Sequence, residues 1–369
     1  MQPGKELLWH ILRKAEAEAA LTHEETVFLL GLTDDDHLES LFKTARRLRE
    51  RYFGNRIFLY GFVYFSTWCR NNCAFCYYRS ANRLSRRYRK SMSEIVATAV
   101  DLAESGVHLI DLTMGEDPYF HHNEEGVKAL AAIVREVKET TGLPVMISPG
   151  VASRPMLDAF SEARADWYAC YQETHNRNIF ARLRLNQNYD ARLDSKWHAQ
   201  KAGLLVEEGL MVGINETVAD IAVSMKVMKK MNVHQVRVMS YVPQEGSLMR
   251  ESSSPGSLRE LITISVLRLH FPDRLIPASL DVDGLSGLKE RLLAGANVVT
   301  SLIPPENGLA GVAQSKMDID EGLRSAREVF PILSNLNLHP AAPDEYRTWV
   351  DRKKETLKRG ISGVPLSNI

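Results

Sequence analysis

The chain is poor in cysteine and carries no excess charge of either sign. Its 369 residues include only four cysteines. Lys+Arg and Asp+Glu both count 46, so the formal net charge is zero and the pI is about 7.2. A neutral chain lacks the basic surface that nucleic acids and anionic membranes attract, so we expect neither as its main partner.

Long apolar runs are also absent. No run approaches the roughly 18 residues that a membrane span needs. The first stretch, MQPGKELLWHILRKAEAEAA, alternates apolar pairs with charges and lacks the apolar core of a secretory signal. Few cysteines in an odd grouping make a poor disulfide framework. The sequence therefore predicts a cytoplasmic protein without a membrane span, whose cysteines act as thiolate ligands.

The chain is rich in short apolar runs that alternate with amphipathic stretches. Residues 1–54 predict an N-terminal helical extension, in which Thr22-His-Glu-Glu25 is a capping-box pattern. Eight runs rich in β-branched and aromatic residues follow: 56–66, 108–114, 143–148, 166–171, 209–214, 234–240, 274–280 and 297–303. Eight strand–helix alternations favour the α/β class and a complete (β/α)8 TIM barrel over residues 55–340, rather than a doubly wound sheet. Residues 341–369 predict a C-terminal helix.

Three of the four cysteines lie in one short stretch, STWCRNNCAFCYY. Their spacing is Cys69-x3-Cys73-x2-Cys76, in the loop after the first predicted strand, where barrel enzymes place their chemistry. Thiolates at short spacing bind zinc or an iron–sulfur cluster. One alternative is a zinc site completed by a histidine or Cys170. The other is a cubane 4Fe-4S cluster on three cysteines, which leaves one iron open to a further ligand.

With Phe75 just before the last cysteine and a barrel behind the loop, this motif resembles the signature of the radical S-adenosylmethionine (SAM) superfamily. The resemblance implies that the open iron binds the amine and carboxylate of SAM, and that one-electron reduction releases a 5′-deoxyadenosyl radical. Gly115 and Glu116 follow the second strand where the superfamily carries a Gly-Gly-Glu stretch, with Met114 in place of the first glycine.

Other strand ends supply further candidates for binding SAM. Ser148 ends the third strand, and Gln172 lies beside Glu173 after the fourth. In the biotin synthase-like branch of the superfamily, an acidic residue and an arginine nineteen positions later bind the methionyl group of the cofactor. Glu173 and Arg192 have that separation. Taken singly, Glu173 could instead cap the next helix, and Arg192 could be a solvated charge.

Charged residues inside predicted strands are the second informative feature. Asp111 shares strand parity with Leu109 and Thr113, so it points into the barrel if they do. Arg237 lies inside the sixth run and Asp281 directly follows the seventh. A charge in a barrel interior costs several kcal/mol unless it is paired. These residues therefore form either a structural Asp–Arg bridge or the site of a substrate with both signs of charge.

Longer stretches resemble the family of lysine mutases that make 3-methylornithine for pyrrolysine biosynthesis. They are YFGNRIFL, YFSTWCRNNCAFCYY, IDLTMGEDPY, MISPG, YQET, VRVMSYVPQEG, LIPASLD and AGANVVTSLIPP. The resemblance implies that L-lysine is split into a glycyl radical and an aminobutene, which rejoin as (3R)-3-methyl-D-ornithine. It also implies four substrate-binding residues: Asp111, Arg237, Ser279 and Asp281.

Two other functions remain open. One is a maturase-like radical SAM enzyme of the same branch acting on another small amino acid, and the other is a non-catalytic, zinc-stabilised binding protein. A sulfur-inserting enzyme would need a second cluster, which Cys170 alone cannot ligate. A radical enzyme would also need a transient electron donor such as flavodoxin or ferredoxin. The basic segment 79–90 is either solvated surface or the docking site of that donor. Four of its arginines would contact an acidic donor that docks there: Arg83, Arg86, Arg87 and Arg89.

Overall fold

The computed structural model describes residues 3–252, 256–304 and 324–361. Residues 362–369 of the predicted C-terminal helix therefore lie outside the described residues. Across the described residues, no helix is both long enough and apolar enough to span a membrane.

Helices and strands alternate along most of the chain. The helices are α1 (Pro3–Glu16), α2 (His23–Leu30), α3 (Asp35–Phe53), α4 (Met92–Glu104), α5 (Pro118–His121), α6 (Glu124–Thr141), α7 (Arg154–Glu162), α8 (Arg177–Leu183), α9 (Tyr189–Lys201), α10 (Val218–Met231), α11 (Ser257–His270), α12 (Leu288–Leu293), α13 (Ala326–Asn335) and α14 (Pro343–Ile361). The strands are β1 (Arg56–Ser66), β2 (Leu109–Met114), β3 (Val145–Ser148), β4 (Trp167–Ala169), β5 (Leu205–Val212), β6 (Gln235–Ser240), β7 (Pro277–Ser279), β8 (Val298–Leu302) and β9 (His339–Pro340).

Side chains at the helix ends explain where the helices begin and stop. The Thr22 hydroxyl accepts the Glu25 N–H at 3.2 Å, and the Glu25 carboxylate accepts the Thr22 N–H at 2.6 Å. This capping box confirms the pattern predicted before α2. Helix α6 ends at Gly142, whose φ of 66° is left-handed and suits a residue without Cβ. Helices α1 to α3 pack outside the barrel, mainly against α10 and α11.

The strands form a parallel barrel, which confirms the predicted fold class. Their order in the sheet is β6-β5-β4-β3-β2-β1-β8-β7, with β9 added at the start of β1. Between β6 and β7 the barrel closes through one bridge, where the Val236 N–H donates to the Leu275 carbonyl at 3.0 Å. Because all eight strands run the same way, their carboxyl ends and the loops that follow them share one end of the barrel.

The opposite end of the barrel is filled by aromatic side chains and covered by α14. The Tyr60 hydroxyl bonds to the Tyr346 hydroxyl of α14 at 2.8 Å and donates to Gln235 Oε1 at 2.9 Å. Trp167 of β4 stacks on Trp349 of α14, with 5.9 Å between ring centroids and 2° between planes. This layer forms the floor beneath the barrel interior.

Strand β5 differs from its predicted range. It begins at Leu205, four residues before the predicted start at residue 209. The four additional residues at the start of the strand include Glu207 and Glu208, which are both fully buried. Adjacent carboxylates interrupt the apolar run, so the pattern of hydrophobic residues hides the first half of this strand.

Candidate active site

One cavity opens among the loops at the carboxyl ends of the strands. Its wall includes most of the residues singled out in the sequence: Cys69, Cys73, Cys76, Phe75, Gly115, Glu116, Ser148, Glu173, Arg192, Asp111, Arg237 and Asp281. Two predicted residues do not line it. The Gln172 side chain is buried and bonded to Lys196 and the Tyr189 carbonyl, and Ser279 donates to Asp281 at 3.1 Å.

The cysteine loop leaves β1 and packs directly on the end of β2. Gly115 permits this contact, since a Cβ there would lie 2.4 Å from the Trp68 carbonyl oxygen and 2.8 Å from the Cys69 Cβ. The Asn71 N–H donates to the Cys69 Sγ at 3.4 Å. A residue without a side chain at position 115 therefore brings the first cysteine against the strand that carries Asp111.

Two side chains donate hydrogen bonds to the sulfur of Cys73. Gln187 Nε2 lies 3.0 Å from this sulfur and Arg184 Nη1 lies 3.6 Å from it. Donors directed at sulfur stabilise thiolates and recur around iron–sulfur clusters. Both donors come from the segment that joins α8 to α9.

The chemistry of these thiols fits a bound cluster. Burial raises the pKa of Cys69, and burial together with Cys73 and Cys69 raises the pKa of Cys76 to about 12. A cationic metal centre stabilises thiolates and so offsets the effect of burial on Cys69 and Cys76. Within the described residues, no three His, Cys, Asp or Glu side chains converge on the position of a single metal ion.

Glu116 occupies the cavity wall between the cysteine loop and α9. Gly150, with a left-handed φ of 80°, makes room for it, because a Cβ there would lie 2.1 Å from the Glu116 Cγ. Its carboxylate accepts from Arg192 Nη2 at 3.1 Å and from the Val151 N–H at 3.0 Å. Burial works to raise the pKa of Glu116, but Arg192 and the Val151 N–H hold that pKa below its ordinary value.

Glu173 and Arg192 face the same cavity but belong to different ion pairs. Glu173 Oε1 accepts from Arg184 Nη2 at 2.5 Å, whereas Arg192 bonds to Glu116. Both side chains are buried, and the side chain that caps α8 belongs to Asn176, so the helix-cap and solvated-charge alternatives are wrong. Burial raises the pKa of Glu173, opposed by the two arginines.

A network of buried charges holds the backbone around Glu173. Lys196 forms an ion pair with Glu208 and donates to the Cys170 carbonyl at 3.0 Å, with every one of these groups buried. Glu208 also accepts the Gln172 N–H at 2.7 Å. Glu173 itself has a φ of 67°, a left-handed conformation that is costly for a residue with a side chain. The Lys196–Glu208 pair therefore maintains the bend that directs Glu173 into the cavity.

Arg237 lies deeper in the barrel and is paired, but with a partner that the sequence did not indicate. Its Nε donates to Glu207 Oε1 at 2.7 Å, and its Nη1 donates to the Thr300 hydroxyl at 3.3 Å. Glu207 also accepts from the Tyr171 hydroxyl at 2.8 Å. The Asp–Arg bridge that was one of the two alternatives is therefore, at Arg237, a Glu–Arg bridge, and the outer end of the guanidinium faces the cavity.

The two aspartates of the interior have different surroundings. Asp281 accepts from Arg324 at 3.0 Å and from Ser301 at 2.6 Å, so it is already paired with a cation. Asp111 accepts only hydroxyls, from Thr113 at 2.9 Å and Ser148 at 3.1 Å. In the described part of the chain, no cation forms an ion pair with Asp111.

Burial changes the protonation of Asp111. Burial and then the nearby Glu207 carboxylate raise its pKa to about 7, even though the two hydroxyls and Arg237 act to lower it. A carboxyl group with this pKa is ready to ionise when an ammonium group approaches it.

Four of these residues were missed in the sequence: Glu207, Glu208, Arg184 and Arg324. Glu207 and Glu208 carried a detectable signal, a charged doublet between the apolar runs LLV and GLMV. Arg184 lies in a stretch with several other arginines, and Arg324 reaches Asp281 from 43 residues away. No local pattern distinguishes these two arginines from surface charges.

The basic segment beside the cysteine loop is only partly solvated. Arg87 donates to the carbonyls of Thr67 and Tyr78, and Arg89 forms a bidentate pair with Asp117 at 2.8 Å. These two arginines are therefore structural. The other two, Arg83 and Arg86, are exposed.

Comparison with known proteins agrees with this arrangement. Residues 63–228 match the profile of the Radical SAM superfamily. The 3-methylornithine synthase of Methanosarcina barkeri is 41% identical over 326 residues, which cover 88% of this chain and 92% of the relative. The hydrogenase maturase subunit HydE of Thermotoga maritima is 28% identical over 299 residues, 80% of this chain and 83% of that protein. The crystal structure of a methylornithine synthase superposes with a TM-score of 0.87 at 40% identity, covering 92% of this chain and 99% of that one.

Proposed function

The chain belongs to the 3-methylornithine synthase family of radical SAM enzymes, and from that membership we propose that it isomerises L-lysine to (3R)-3-methyl-D-ornithine. The reaction class is that of an intramolecular mutase, and the product is the first intermediate of pyrrolysine biosynthesis. Members of the superfamily use one 4Fe-4S cluster and SAM, and so does this chain.

The observation that carries the proposal is one cavity that is lined both by three thiols and by charges of both signs. Cys69, Cys73 and Cys76 would hold the cluster at this cavity, and Asp111 and Arg237 line the same cavity. When bound, the reduced cluster and SAM supply a 5′-deoxyadenosyl radical, which abstracts a hydrogen atom from a substrate next to it. A shared cavity allows that transfer without release of the radical.

The amino-acid end of SAM has complementary groups on the cavity wall. Glu173 would accept a hydrogen bond from its amine, and Arg192 would donate to its carboxylate. Each residue is already oriented by a neighbour, Glu173 by Arg184 and Arg192 by Glu116. Side chains held in advance lose little freedom on binding, which favours a single placement of the cofactor.

Lysine matches the charges of the inner wall. Its carboxylate would bind the outer nitrogens of Arg237, since Glu207 already occupies Nε. Its two ammonium groups would bind Asp111, which has a raised pKa and no ion pair among the described residues, and Asp281. If lysine splits into two fragments, each fragment keeps a charged group, so the wall can retain both until they rejoin.

We further propose that the electron donor docks beside the cysteine loop. Trp68 and Leu84 are 47% and 60% exposed there, next to the exposed Arg83 and Arg86. An apolar patch flanked by positive charge suits an acidic one-electron carrier such as flavodoxin or ferredoxin.

Anaerobic turnover with mass spectrometry tests the function directly. Reconstituted protein, SAM, dithionite and L-lysine should give a product of lysine's mass with a different retention time and the D configuration. Ornithine, one methylene shorter, should be a poor substrate because its two ammonium groups cannot reach both Asp111 and Asp281 while its carboxylate binds Arg237. Turnover of another amino acid with no isobaric product from lysine would support the maturase-like alternative. Stoichiometric zinc without iron would support the binding protein.

A further inference from the structure

Arg184 lies between the predicted SAM-binding residues and the predicted cluster. Its Nη2 donates to Glu173 Oε1 at 2.5 Å and to the Tyr171 carbonyl at 3.0 Å. Its Nη1 donates to the Cys73 Sγ at 3.6 Å, and its guanidinium carbon lies 5.3 Å from the centroid of the Phe75 ring. One buried cation thus contacts both a cofactor-binding carboxylate and a cluster-binding sulfur.

Gln187 makes a second link of the same kind. Its Nε2 donates to the Cys73 Sγ at 3.0 Å, while its Oε1 accepts from Arg192 Nη2 at 2.8 Å. Arg184 and Gln187 both lie in the connection between α8 and α9, which is anchored to the cysteine loop where the Ala74 N–H donates to the Leu183 carbonyl at 2.7 Å. Cys73 therefore receives two side-chain donors from this connection.

These contacts bear on the ease with which the cluster takes up an electron. Reduction adds one electron from an external donor to the cluster, breaks no bond in the protein, and increases the negative charge on the cluster sulfurs. A nearby positive charge and N–H donors stabilise that added charge, which raises the reduction potential. Glu173 offsets part of the charge of Arg184, but Nη1 is directed at the Cys73 sulfur, and the burial of Arg184 limits screening by water.

We propose that Arg184, assisted by Gln187, raises the reduction potential of the cluster and at the same time positions Glu173 for SAM. Arg184 is a positioning residue in this scheme, since it acts through Cys73 and Glu173. The inference rests on the proposed cluster at the three cysteines, but not on the identity of the substrate.

Redox titration of three variants tests the inference. Arg184→Gln removes the charge, Gln187→Leu removes the neutral donor, and Arg182→Gln is the matched control, because Arg182 is exposed two residues away on α8. Each protein is reconstituted anaerobically, analysed for iron and sulfide, and titrated without SAM while electron paramagnetic resonance follows the reduced cluster.

Arg184→Gln should lower the potential so that the ratio of reduced to oxidised cluster at a fixed applied potential falls at least tenfold, about 59 mV for one electron. Gln187→Leu should shift it less in the same direction, and Arg182→Gln should match the wild type. A potential for Arg184→Gln equal to that of Arg182→Gln would overturn the inference. If Arg184→Gln assembles no cluster, an unchanged potential in Gln187→Leu overturns it instead. A wild-type protein without iron would overturn the proposed function as well.

Discussion

Replacing Asp111 by Asn should stabilise the substrate-free protein while it removes substrate binding. Asp111 is buried among hydroxyls and has a pKa of about 7, against 3.8 for an ordinary aspartate. Folding therefore favours the protonated carboxyl, and stability is lost as pH rises through the range between these two values. Asn keeps the shape and accepts the same two hydroxyl bonds, from Thr113 and Ser148, but never ionises.

The magnitude follows from the difference between the two pKa values. At 1.36 kcal/mol per pKa unit, ionising Asp111 in the empty site costs about 4 kcal/mol above pH 7. At pH 5 the cost is smaller, because the folded protein still holds the proton there. The stability advantage of Asp111→Asn over the wild type should consequently widen by about 2.5 kcal/mol between pH 5 and pH 8.

Anaerobic urea unfolding, followed by tryptophan fluorescence at the two pH values, measures this difference. The exposed Asp194 provides the control, since Asp194→Asn makes the same change on the outside of α9. Saturating L-lysine should stabilise the wild type at pH 8 and leave Asp111→Asn unaffected, because only the carboxylate pairs with an ammonium group. If the advantage of Asp111→Asn is the same at both pH values, burial does not hold Asp111 protonated and the argument is refuted.

Three further predictions concern the cofactors and the scaffold. Cys76→Ala should lose the 4Fe-4S cluster and Cys170→Ala should keep it, by iron and sulfide analysis; equal iron content in both would contradict the assignment. Arg192→Ala should weaken SAM binding by about 2 to 5 kcal/mol in calorimetry, the usual cost of breaking a desolvated charge pair, and an unchanged affinity would count against its role. Lys196→Met leaves Glu208 buried without its cation, so it should cost about 3 to 5 kcal/mol in urea unfolding. The exposed pair Arg177 and Asp190 is the comparison: Arg177→Met should cost far less, and similar losses would show that burial is not what matters.

The barrel and its functional end were predictable from the sequence because both depend on short-range patterns. Strand parity alone placed Asp111 inside the barrel, and the structure has it on the cavity wall. The spacing of the cysteines identified the loop after β1 as the candidate cluster-binding loop. Strand parity repeats every two residues, and the cysteine spacing lies within one loop. Both patterns can therefore be recognised without knowledge of the fold.

The ion pairs were not predictable, because their partners are distant in the chain. Arg192 was singled out by a resemblance to the biotin synthase-like branch and lines the cavity, yet its ion-pair partner is Glu116, 76 residues away. Arg237 pairs with Glu207, which lay in the unrecognised half of β5. A sequence shows that a buried charge needs a partner, but only the closed barrel determines which opposite charge lies beside it.

The position of α14 has a consequence for the order of synthesis. The cysteine loop is complete once residue 76 has been made, whereas the floor of the barrel needs Tyr346 and Trp349 from α14, which ends at residue 361. At about 5 to 20 residues per second, the ribosome takes roughly 15 to 60 s to cover that interval. During that interval the interior of the barrel is open to water from the side that α14 later covers. Of the described helices, the last to emerge is therefore the one that covers this end of the barrel.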